Sequence, residues 1–450
     1  MTAVLELAAT GLDPARARIE LLCDPGTFRP WRTAVGDGVV AGRGRSAGRP
    51  VFCWAQDGGH VGGSLGAAGG ETIARTFAAA ERAGAPVVGF PHSGGARLQQ
   101  GVAALAAYGS IFREQANATV PQVAVVSGPC AGGAAYSPAL GDLTVMCGPE
   151  ARMFLTGPRI VEEVTRERVS AGELGGAAVQ GANGVAHAEA PGAAEAGRLV
   201  RDLLAHLPAR AGGSLPLAPA AEPEPGDPSE PVPAQSRRVY DVRDVARRLT
   251  DAGRLLELAP RWAPNLVTAL ARIDGSPVGV IANQPRRLGG TIDCAAAEKG
   301  AWFVTFCDRF GIPLLVLVDT PGFLPGVRQE RDGVIRHGAA FLRAFARARV
   351  PRVTVTLRQA YGGAYIVMNS RDLGADLSLA WPQARIGVMG AKPAVGLLER
   401  RAIAAGADAG ALAAAYEGEH LGVDAAAHGG FVDEVIAPEE TRARVMEALA

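Results

Sequence analysis

The feature that most constrains the fold of this 450-residue chain is a repeat of its first half in its second half. Glycines, prolines and acidic residues recur 227 positions later and, after a three-residue insertion, 230 positions later. The matched positions are Gly62–Gly63 with Gly289–Gly290, Glu71 with Glu298, Gly84 with Gly311, Pro86 with Pro313, Pro121 with Pro351, Gly132–Gly133 with Gly362–Gly363, Asp142 with Asp372, and Gly157 with Gly387. Chance explains one such pair easily, but eight ordered pairs with a single shift indicate duplication of a whole domain.

Each copy of the repeat alternates predicted strands with predicted helices. In the first copy, apolar runs at 51–55, 86–90 and 122–126 predict buried strands, and residues 71–82 and 102–115 have helical spacing. This alternation favours parallel β-α units covered by helices on both faces. The predicted fold class is therefore α/β, with two β/α domains in tandem.

Residues 207–236 interrupt this pattern. Proline, alanine and glutamate dominate the segment, and neither strand nor helix spacing is visible in it. Such a composition is typical of an extended linker between domains. The sequence therefore predicts an N-terminal domain at 1–206 and a C-terminal domain at 237–450.

The composition excludes some classes of function. Lys and Arg total 45 and Asp and Glu total 45, so no bulk field attracts nucleic acid or an anionic membrane. The six cysteines are scattered without a C-x-x-C pair, which favours buried free thiols over a zinc site. We expect no bound metal or nucleotide. Without a signal-like start or a membrane-spanning apolar run, the sequence predicts a cytoplasmic protein.

The repeated segment of most chemical interest is the glycine turn at Gly362–Gly363, which has a counterpart at Gly132–Gly133. The β-branched run 353–357 precedes the later turn and an apolar segment follows it, which predicts a strand, a turn and a helix start. Adjacent glycines let the main chain approach a ligand closely, and the first amides of a helix have no acceptor within it. Such a turn can stabilise a developing oxyanion. The alternative, that both turns serve the fold alone, stays open.

Side chains that commonly perform catalysis are poorly represented. The sequence contains no G-x-S-x-G, no H-E-x-x-H, no P-loop pattern and no G-x-G-x-x-G after a strand. Ser93 is a candidate nucleophile or a turn-capping residue, and His337 is a candidate base or a helix-surface residue. Asp319 either caps a turn or binds a metal, and Arg286 either meets a phosphate or lies in a solvated loop.

A chain rich in placed amides and poor in acids and bases suits a reaction whose negative charge develops on carbonyl oxygens. Two turns suggest two such carbonyls. Enolate chemistry on a thioester, with an enolate-like partner held opposite, fits this description if a substrate or cofactor group removes the proton.

Ordered sequence strings then point to a family. The chain resembles the β (carboxyltransferase) subunits of biotin-dependent acyl-CoA carboxylases, of the propionyl-CoA and acetyl-CoA carboxylase type. The matching strings cover nearly the whole chain. They are GGSLG at 62–66, SGGAR at 93–97, GPCAGGA at 128–134, FLTGP at 154–158, ELGGA at 173–177, YDVR at 240–243, ANQP at 282–285, PGFLPG at 321–326, IRHGA at 335–339, AYGGAY at 360–365, and AWP through MGAK at 380–392.

The resemblance implies two crotonase-like domains of the ClpP/crotonase superfamily. It places the active site between the N-terminal domain of one subunit and the C-terminal domain of another, in a hexamer built from dimers. It assigns the thioester oxygen of acyl-CoA to the amides of Gly132 and Gly133, and the ureido carbonyl of carboxybiotin to those of Gly363 and Ala364. It implies substrate contacts at Ser93, Gly94, Gly95, Ala96, Tyr361, Gly362 and Ile366.

The same resemblance implies partner proteins. The chain carries no Met-Lys biotin attachment motif and has no room for an ATP-grasp module. Biotin is therefore expected on a separate carrier subunit, carboxylated by a separate biotin carboxylase. Transfer of the carboxyl group to the acyl α-carbon gives malonyl-CoA from acetyl-CoA, or methylmalonyl-CoA from propionyl-CoA. In the family the biotin takes the α-proton, which accounts for the missing base.

Several positions depart from the family pattern. His92 replaces a usual aspartate, Gln100 a glutamate, Gln180 a histidine in a loop one residue shorter, Gln359 a basic residue, and Pro393 a glycine. We expect these departures to affect CoA placement and rate more than the fold.

Ile366 stands where the family lines its acyl pocket, and where propionyl-preferring members tend to carry aspartate. Isoleucine predicts acetyl-CoA specificity or mixed acetyl-CoA and propionyl-CoA specificity. Two alternatives remain beside this reading. One is the carboxyltransferase component of a biotin-dependent acyl-CoA decarboxylase, and the other is a non-catalytic subunit that binds acyl-CoA and assists assembly.

Overall fold

The computed structural model describes residues 13–235 and 238–449. Its internal contacts divide the chain into two compact units, with the boundary between Ser214 and Leu215. Each unit contains one large mixed sheet packed with helices. The chain is therefore an α/β protein with two halves of similar topology, as the repeat predicts.

The predicted linker, residues 207–236, lies on both sides of this boundary. The Ala218 N–H donates to the Gly275 carbonyl at 3.0 Å, and the Ala252 N–H donates to the Glu222 carbonyl at 2.8 Å. These bonds tie the segment after Leu215 to the second unit. The predicted linker contains no helix or strand among its described residues, consistent with its high proline content. Residue 236 is outside the described residues.

The first unit begins with a helix and an antiparallel hairpin and continues in β-α units. Its strands are β1 Arg29–Trp31, β2 Val39–Ser46, β3 Arg49–Gln56, β4 Val87–Phe90, β5 Gln122–Val126, β6 Pro129–Ala131, β7 Leu143–Cys147, β8 Arg152–Phe154 and β9 Ala188–Ala190. Its helices are α1 Pro14–Leu22, α2 Ala67–Ala83, α3 Val102–Asn117, α4 Gly133–Leu140, α5 Pro158–Thr165, α6 Ala171–Gly175, α7 Ala177–Ala182 and α8 Ala193–His206.

The second unit repeats this order and adds helices near its end. Its strands are β10 Leu256–Glu257, β11 Leu266–Ile273, β12 Ser276–Asn283, β13 Leu314–Thr320, β14 Arg352–Tyr361, β15 Leu377–Ala380, β16 Arg385–Gly387 and β17 Glu434–Val435. Its helices are α9 Val242–Arg247, α10 Cys294–Phe310, α11 Val327–Asp332, α12 Val334–Arg347, α13 Gly362–Val367, α14 Ala391–Leu398, α15 Arg400–Ala404, α16 Ala409–Tyr416, α17 Val423–His428 and α18 Thr441–Leu449.

The two sheets share their strand order and register. The first sheet runs β1-β2-β3-β4-β5-β7-β9 and the second β10-β11-β12-β13-β14-β15-β17. In each, the first three strands are antiparallel and the later ones parallel. Phe52 pairs with Val87 in the first sheet and Gly279 pairs with Leu314 in the second, an offset of 227 at both partners. The duplication thus extends to individual strand pairs.

Glycine ends the long helix of each copy. α2 and α10 are both 17 residues long, and each is followed by a left-handed glycine, Gly84 with φ +59° and Gly311 with φ +70°. Only glycine adopts this conformation without a steric cost. The predicted match of these two glycines therefore has a structural basis.

Two of the eight pairs of positions matched by the sequence repeat are not equivalent in the structure. The Asp142 carboxylate accepts a hydrogen bond from the amide of Gln122, at the start of β5, and its counterpart on the amide of Arg352, at the start of β14, is Asp376. Asp372 is not equivalent, because the second unit has four more residues between the glycine turn and this aspartate. Likewise Gly157, the N-cap of α5, corresponds to Gly390, the N-cap of α14, and not to Gly387.

Two further observations concern the cysteines and the possibility of a membrane-spanning helix. All six cysteines are free thiols, and Cys294 alone is partly exposed. None of the helices within residues 13–235 and 238–449 is long and apolar enough to cross a membrane.

Lys299, on α10, is an unusual member of the second core. Only two of the chain's 45 Lys and Arg residues are lysines, Lys299 and Lys392. The Lys299 side chain is 0% exposed, and its Nζ donates to the carbonyl of Leu266 at 2.7 Å. Burial lowers its pKa to about 7. Arginine keeps its charge at every physiological pH, whereas a buried lysine can lose its proton and become neutral at this position.

Lys299→Met is expected to raise the melting temperature of the second unit by about 2–8 °C at pH 7, because it removes an amine whose charge is disfavoured by burial. The folded pKa lies below the unfolded value of 10.5, so wild-type stability rises between about pH 7 and pH 10. The advantage of the variant should therefore shrink at pH 9.5, as measured by thermal scans at both pH values.

Lys392→Met changes the other lysine, which is exposed, and serves as the control. It should leave the melting temperature unchanged at both pH values. A Lys299→Met protein that melts below the wild type by the same amount at pH 7 and pH 9.5 would contradict the account of Lys299.

Candidate active site

The first glycine turn joins β6 to α4. Gly132 lies between them with φ +62° and ψ −134°, a strained combination that costs residues other than glycine about 1–3 kcal/mol. Gly133 is the first residue of α4, where an N–H has no acceptor within the helix. A Cβ at position 133 would lie 3.1 Å from the ring of Tyr108 on α3. Glycine at 133 therefore lets α3 pack directly against the turn.

The Gly132 amide already donates a hydrogen bond within the fold. Its N–H donates to the carbonyl of Phe154 on β8 at 3.1 Å, as a continuation of the β6–β8 pairing. The prediction that Gly132 donates to a substrate oxygen is therefore corrected. The amides at the start of α4, those of Gly133 and Ala134, are the donors that this turn offers.

The loop after β4 brings the predicted residues Ser93 to Ala96 beside this turn. The Ser93 N–H donates to the Pro129 carbonyl at 2.7 Å, and the Ala131 N–H donates to the Ser93 carbonyl at 2.9 Å. The Ser93 hydroxyl is fully buried and accepts the Gly95 N–H at 3.1 Å. Ser93 is thus a turn-forming residue, and its burial removes it as a nucleophile. The next glycine, Gly94, is exposed beside it.

His92 fills a slot that two glycines leave open. A Cβ on Gly58 or on Gly128 would lie 2.5 Å from its ring. The Arg18 guanidinium donates to His92 Nδ1 at 3.3 Å. Burial, and then the charge of Arg18, lowers the pKa of His92. The imidazole is therefore neutral at pH 7 and accepts a hydrogen bond where an aspartate would form an ion pair.

Gln100 and Gln180 also have structural partners. Gln100 Oε1 accepts the Ala67 N–H at 2.7 Å, which caps α2 where Gly66 provides no side chain. Gln180 is buried, and its Nε2 donates to the Met153 carbonyl on β8 at 2.5 Å. Both departures from the family pattern are accommodated within the fold of the first unit.

The second glycine turn joins β14 to α13. Gly362 has φ +59°, and a Cβ there would lie 3.0 Å from the carbonyl oxygen of Val388. Gly363 and Ala364 follow in the first turn of the helix, and Ala364 is fully buried. A Cβ on Gly363 would lie 3.5 Å from the ring of Phe323. The backbone geometry of the first turn is therefore reproduced.

A cavity of about 660 Å³ opens beside the second turn, within the second unit. Ile366, 46% exposed, lines it together with Val388 and Phe431. The Tyr365 hydroxyl donates to the Phe431 carbonyl at 3.3 Å, which fixes the Phe431 segment to α13. The cavity wall is mostly apolar, with Gly362 and Gly363 at one end. Of the predicted substrate contacts in this half, Gly362 and Ile366 line it.

Tyr361 does not line the cavity. Its ring packs against a cluster formed by Ala391, Val395, Ala413 and Leu421, and burial raises its pKa to about 12. Tyr361 thus packs between β14 and the helices that follow α13, and the substrate contact at Tyr361 stays a prediction.

The other polar candidates have protein partners. Asp319 is fully buried and accepts from Arg358 and Tyr240. Arg286 Nη1 lies 3.4 Å from an Asp241 carboxylate oxygen. His337 is partly buried on α12, 4.0 Å from Glu298. In the part of the chain that the structure describes, no group of three or more His, Cys, Asp or Glu side chains is placed to hold a metal ion.

Each unit thus presents amides at the start of a helix, at the end of a parallel strand. Such donors stabilise negative charge on a carbonyl oxygen. The cavity beside the second turn also contains the ionisable side chains of Asp372 and His420. The arrangement can serve enolate or tetrahedral oxyanion chemistry in which the proton is carried elsewhere.

Comparisons with known proteins agree on one family. Residues 8–450 match the family described as carboxyl transferase domain. The chain is 44% identical to the propionyl-CoA carboxylase beta chain of Saccharopolyspora erythraea, over 99% of this chain and 89% of the relative. It is also 44% identical to the methylmalonyl-CoA decarboxylase subunit alpha of Veillonella parvula, over 92% of this chain and 82% of the relative.

A solved structure gives the same result for the fold. The crystal structure of transcarboxylase 12S, described as a hexamer assembly with methylmalonyl-coenzyme A and methylmalonic acid bound, superposes with a TM-score of 0.94. It is 42% identical, and the match covers 100% of this chain and 91% of that one.

Gly362→Ala is expected to cost about 1–3 kcal/mol of stability, because alanine is strained at φ +59° and its Cβ would crowd the Val388 carbonyl. Gly363→Ala is the matched control, since its Cβ would make only ordinary contact with Phe323. Thermal unfolding of the two variants compares them directly. Equal losses for both substitutions would show that the left-handed turn at Gly362 is not required.

Proposed function

This chain belongs to the family of the carboxyl transferase domain, and on that premise we propose that it is the carboxyltransferase subunit of a biotin-dependent acyl-CoA carboxylase. In this proposal it moves a carboxyl group from carboxybiotin to the α-carbon of a short acyl-CoA. The observation that carries the proposal is the pair of glycine turns, one in each unit, each ending a parallel strand and starting a helix.

We assign a different substrate carbonyl to each glycine turn. The amides of Gly133 and Ala134 hold the thioester oxygen of acyl-CoA, which stabilises negative charge when the α-carbon loses its proton. The amides of Gly363 and Ala364 hold the ureido carbonyl of biotin. Loss of one such donor typically lowers kcat by about 10²–10³. The resemblance to the family supports this assignment at Gly133, Gly363 and Ala364. Ala134 takes the place of Gly132, whose amide donates to Phe154.

The second unit has a surface that fits biotin. The cavity beside Gly363 is mostly apolar and large enough for a bicyclic ring and its chain, with backbone amides at one end for a urea oxygen. Carboxybiotin, when bound, supplies the transferred carboxyl group and the acceptor for the α-proton. This chain orients the two carbonyls and excludes water, and so needs no side-chain base.

We place the complete site between the first turn of one subunit and the second turn of another copy. The hexamer described for transcarboxylase 12S supports a homo-oligomer built in this way. Separate biotin carboxylase and biotin carrier subunits complete the system. The similarity to a methylmalonyl-CoA decarboxylase subunit favours one alternative, the same half-reaction run towards decarboxylation.

The purified protein, mixed with biotin carboxylase, biotin carrier, ATP, labelled bicarbonate and a panel of acyl-CoAs, is expected to form acid-stable labelled product. Avidin, which sequesters biotin, should abolish the incorporation, and omission of the carrier gives the matched control. No avidin-sensitive incorporation with any acyl-CoA would remove the proposal. Label released from malonyl-CoA or methylmalonyl-CoA, without incorporation, would favour the decarboxylase.

Ile366 lies in the wall of the cavity that we assign to biotin, and we propose that the acyl group of the CoA ester reaches the same side chain during transfer. We expect wild-type kcat/KM for acetyl-CoA to equal or exceed that for propionyl-CoA. Ile366→Asp should shift the ratio towards propionyl-CoA about threefold to tenfold, since a smaller side chain leaves room for one methylene, which is worth about 0.8 kcal/mol. Ile366→Val, which keeps the wall apolar and branched, should change the ratio less than twofold.

A wild-type preference for propionyl-CoA of more than about tenfold, near the limit that one methylene provides, would refute the role given to Ile366.

A further inference from the structure

The structure contains a buried charged cluster directly upstream of the second glycine turn. Arg358 is 5% exposed, and its Nε lies 3.1 Å from Asp319, which is completely buried. The Tyr240 hydroxyl donates to the same carboxylate at 2.8 Å. The Arg358 guanidinium also lies over the Tyr240 ring, 5.4 Å from its centroid. The next side chain, Gln359, lies near the same carboxylate.

A β-bulge lets two neighbouring side chains reach one carboxylate. Val318 pairs with Thr356 and Thr320 pairs with Ala360, so residues 357–359 of β14 lie opposite Asp319 alone. In a regular strand, successive side chains point to opposite faces. The extra residues lie shortly before Gly362. Bulges of this kind re-aim chains at functional sites.

Arg358 also binds the segment that leads into the second unit. Its Nη1 donates to the carbonyls of Arg238 at 2.8 Å and Gln235 at 3.1 Å. One guanidinium thereby connects β14, β13, Gln235 and Arg238. Three residues separate Arg358 from Gly362 along β14, so a change in the position of Arg358 acts on the turn through a short stretch of backbone.

The first unit has a guanidinium at the matching place. The 227-residue offset relates Asp319 to His92, and the 230-residue offset relates Arg358 to Gly128. There the buried Arg18 guanidinium, arriving from α1, donates to His92 and to the Ser127 hydroxyl at 3.3 Å. Both halves thus place a buried arginine next to a residue near the end of the equivalent strand, although the two arginines come from different elements. This agreement is unexpected if the arginines serve packing alone.

We infer that Arg358, held by Asp319 and Tyr240, is a positioning residue that fixes the amides of Gly363 and Ala364 for the carboxyl donor. This inference rests on the proposed function of the second turn. It assigns Arg358 no contact with substrate, and it predicts a selective effect on the biotin side of the reaction.

The test compares two buried arginines of the same strand. Arg352, 8% exposed at the start of β14, binds the carbonyls of Phe345 and Gly374 and lies far from the turn along the strand. Arg358→Lys and Arg352→Lys each keep the charge and lose the planar fork. Both should lower thermal stability, so stability alone does not separate positioning from packing.

The kinetic readout is decarboxylation of malonyl-CoA and methylmalonyl-CoA by the intact protein with free biotin as the acceptor. Arg358→Lys is expected to raise KM for biotin, or lower kcat, about tenfold or more, with KM for the CoA ester within twofold of wild type. Arg352→Lys should leave both KM values within twofold. Equal kinetic effects of the two variants would overturn the inference.

Hydrogen exchange of residues 360–366 gives a readout that does not depend on activity. Exchange should accelerate about tenfold in Arg358→Lys and remain near wild type in Arg352→Lys. An inactive wild type would remove the proposed function, while the exchange comparison would still decide the positioning role. If Arg358→Lys does not fold, Tyr240→Phe removes one hydrogen bond to Asp319, and wild-type exchange and kinetics in that variant would overturn the inference.

Discussion

Both candidate sites depend on a strand that passes into a helix through one glycine with positive φ. Gly132 at +62° and Gly362 at +59° stand where each strand ends and the helix begins. Other residues would pay a steric cost at these positions. The next residue of each turn is also restricted to a small side chain, because Tyr108 packs against Gly133 and Phe323 against Gly363. The chemistry proposed for this chain is therefore a property of its backbone.

Each half buries an arginine close to the segment that leads into its turn, and the two arginines have different partners. In the second unit Arg358 has a carboxylate partner in Asp319. In the first unit Arg18 faces a histidine whose pKa is lowered, first by burial and then by Arg18 itself. A buried charge with incomplete pairing is costly, so its retention in both halves points to a role beyond stability. The departure at His92 removes a counter-charge while it preserves the shape of the slot.

The sequence predicts the large features because they recur. The repeat, the order of strands and helices, and both glycine turns are visible as spacing, and the family strings predict the fold. Features that depend on distant partners are not visible in this way. The bond from Gly132 to Phe154 and the packing of Tyr361 against the later helices require the folded chain. The mismatch of Asp142 with Asp372 arose because four inserted residues leave no local signal, whereas the hydrogen bond of Asp376 reveals the true counterpart.

The central claim is that each turn holds a different carbonyl. Hydrogen exchange of the intact protein, measured with a non-hydrolysable acetyl-CoA analogue and separately with biotin, tests this claim most directly. The account predicts that the CoA ester slows exchange at residues 133–136 and that biotin slows exchange at residues 363–366. Protection of one and the same turn by both ligands, or of neither turn by either ligand at saturating concentration, would contradict it.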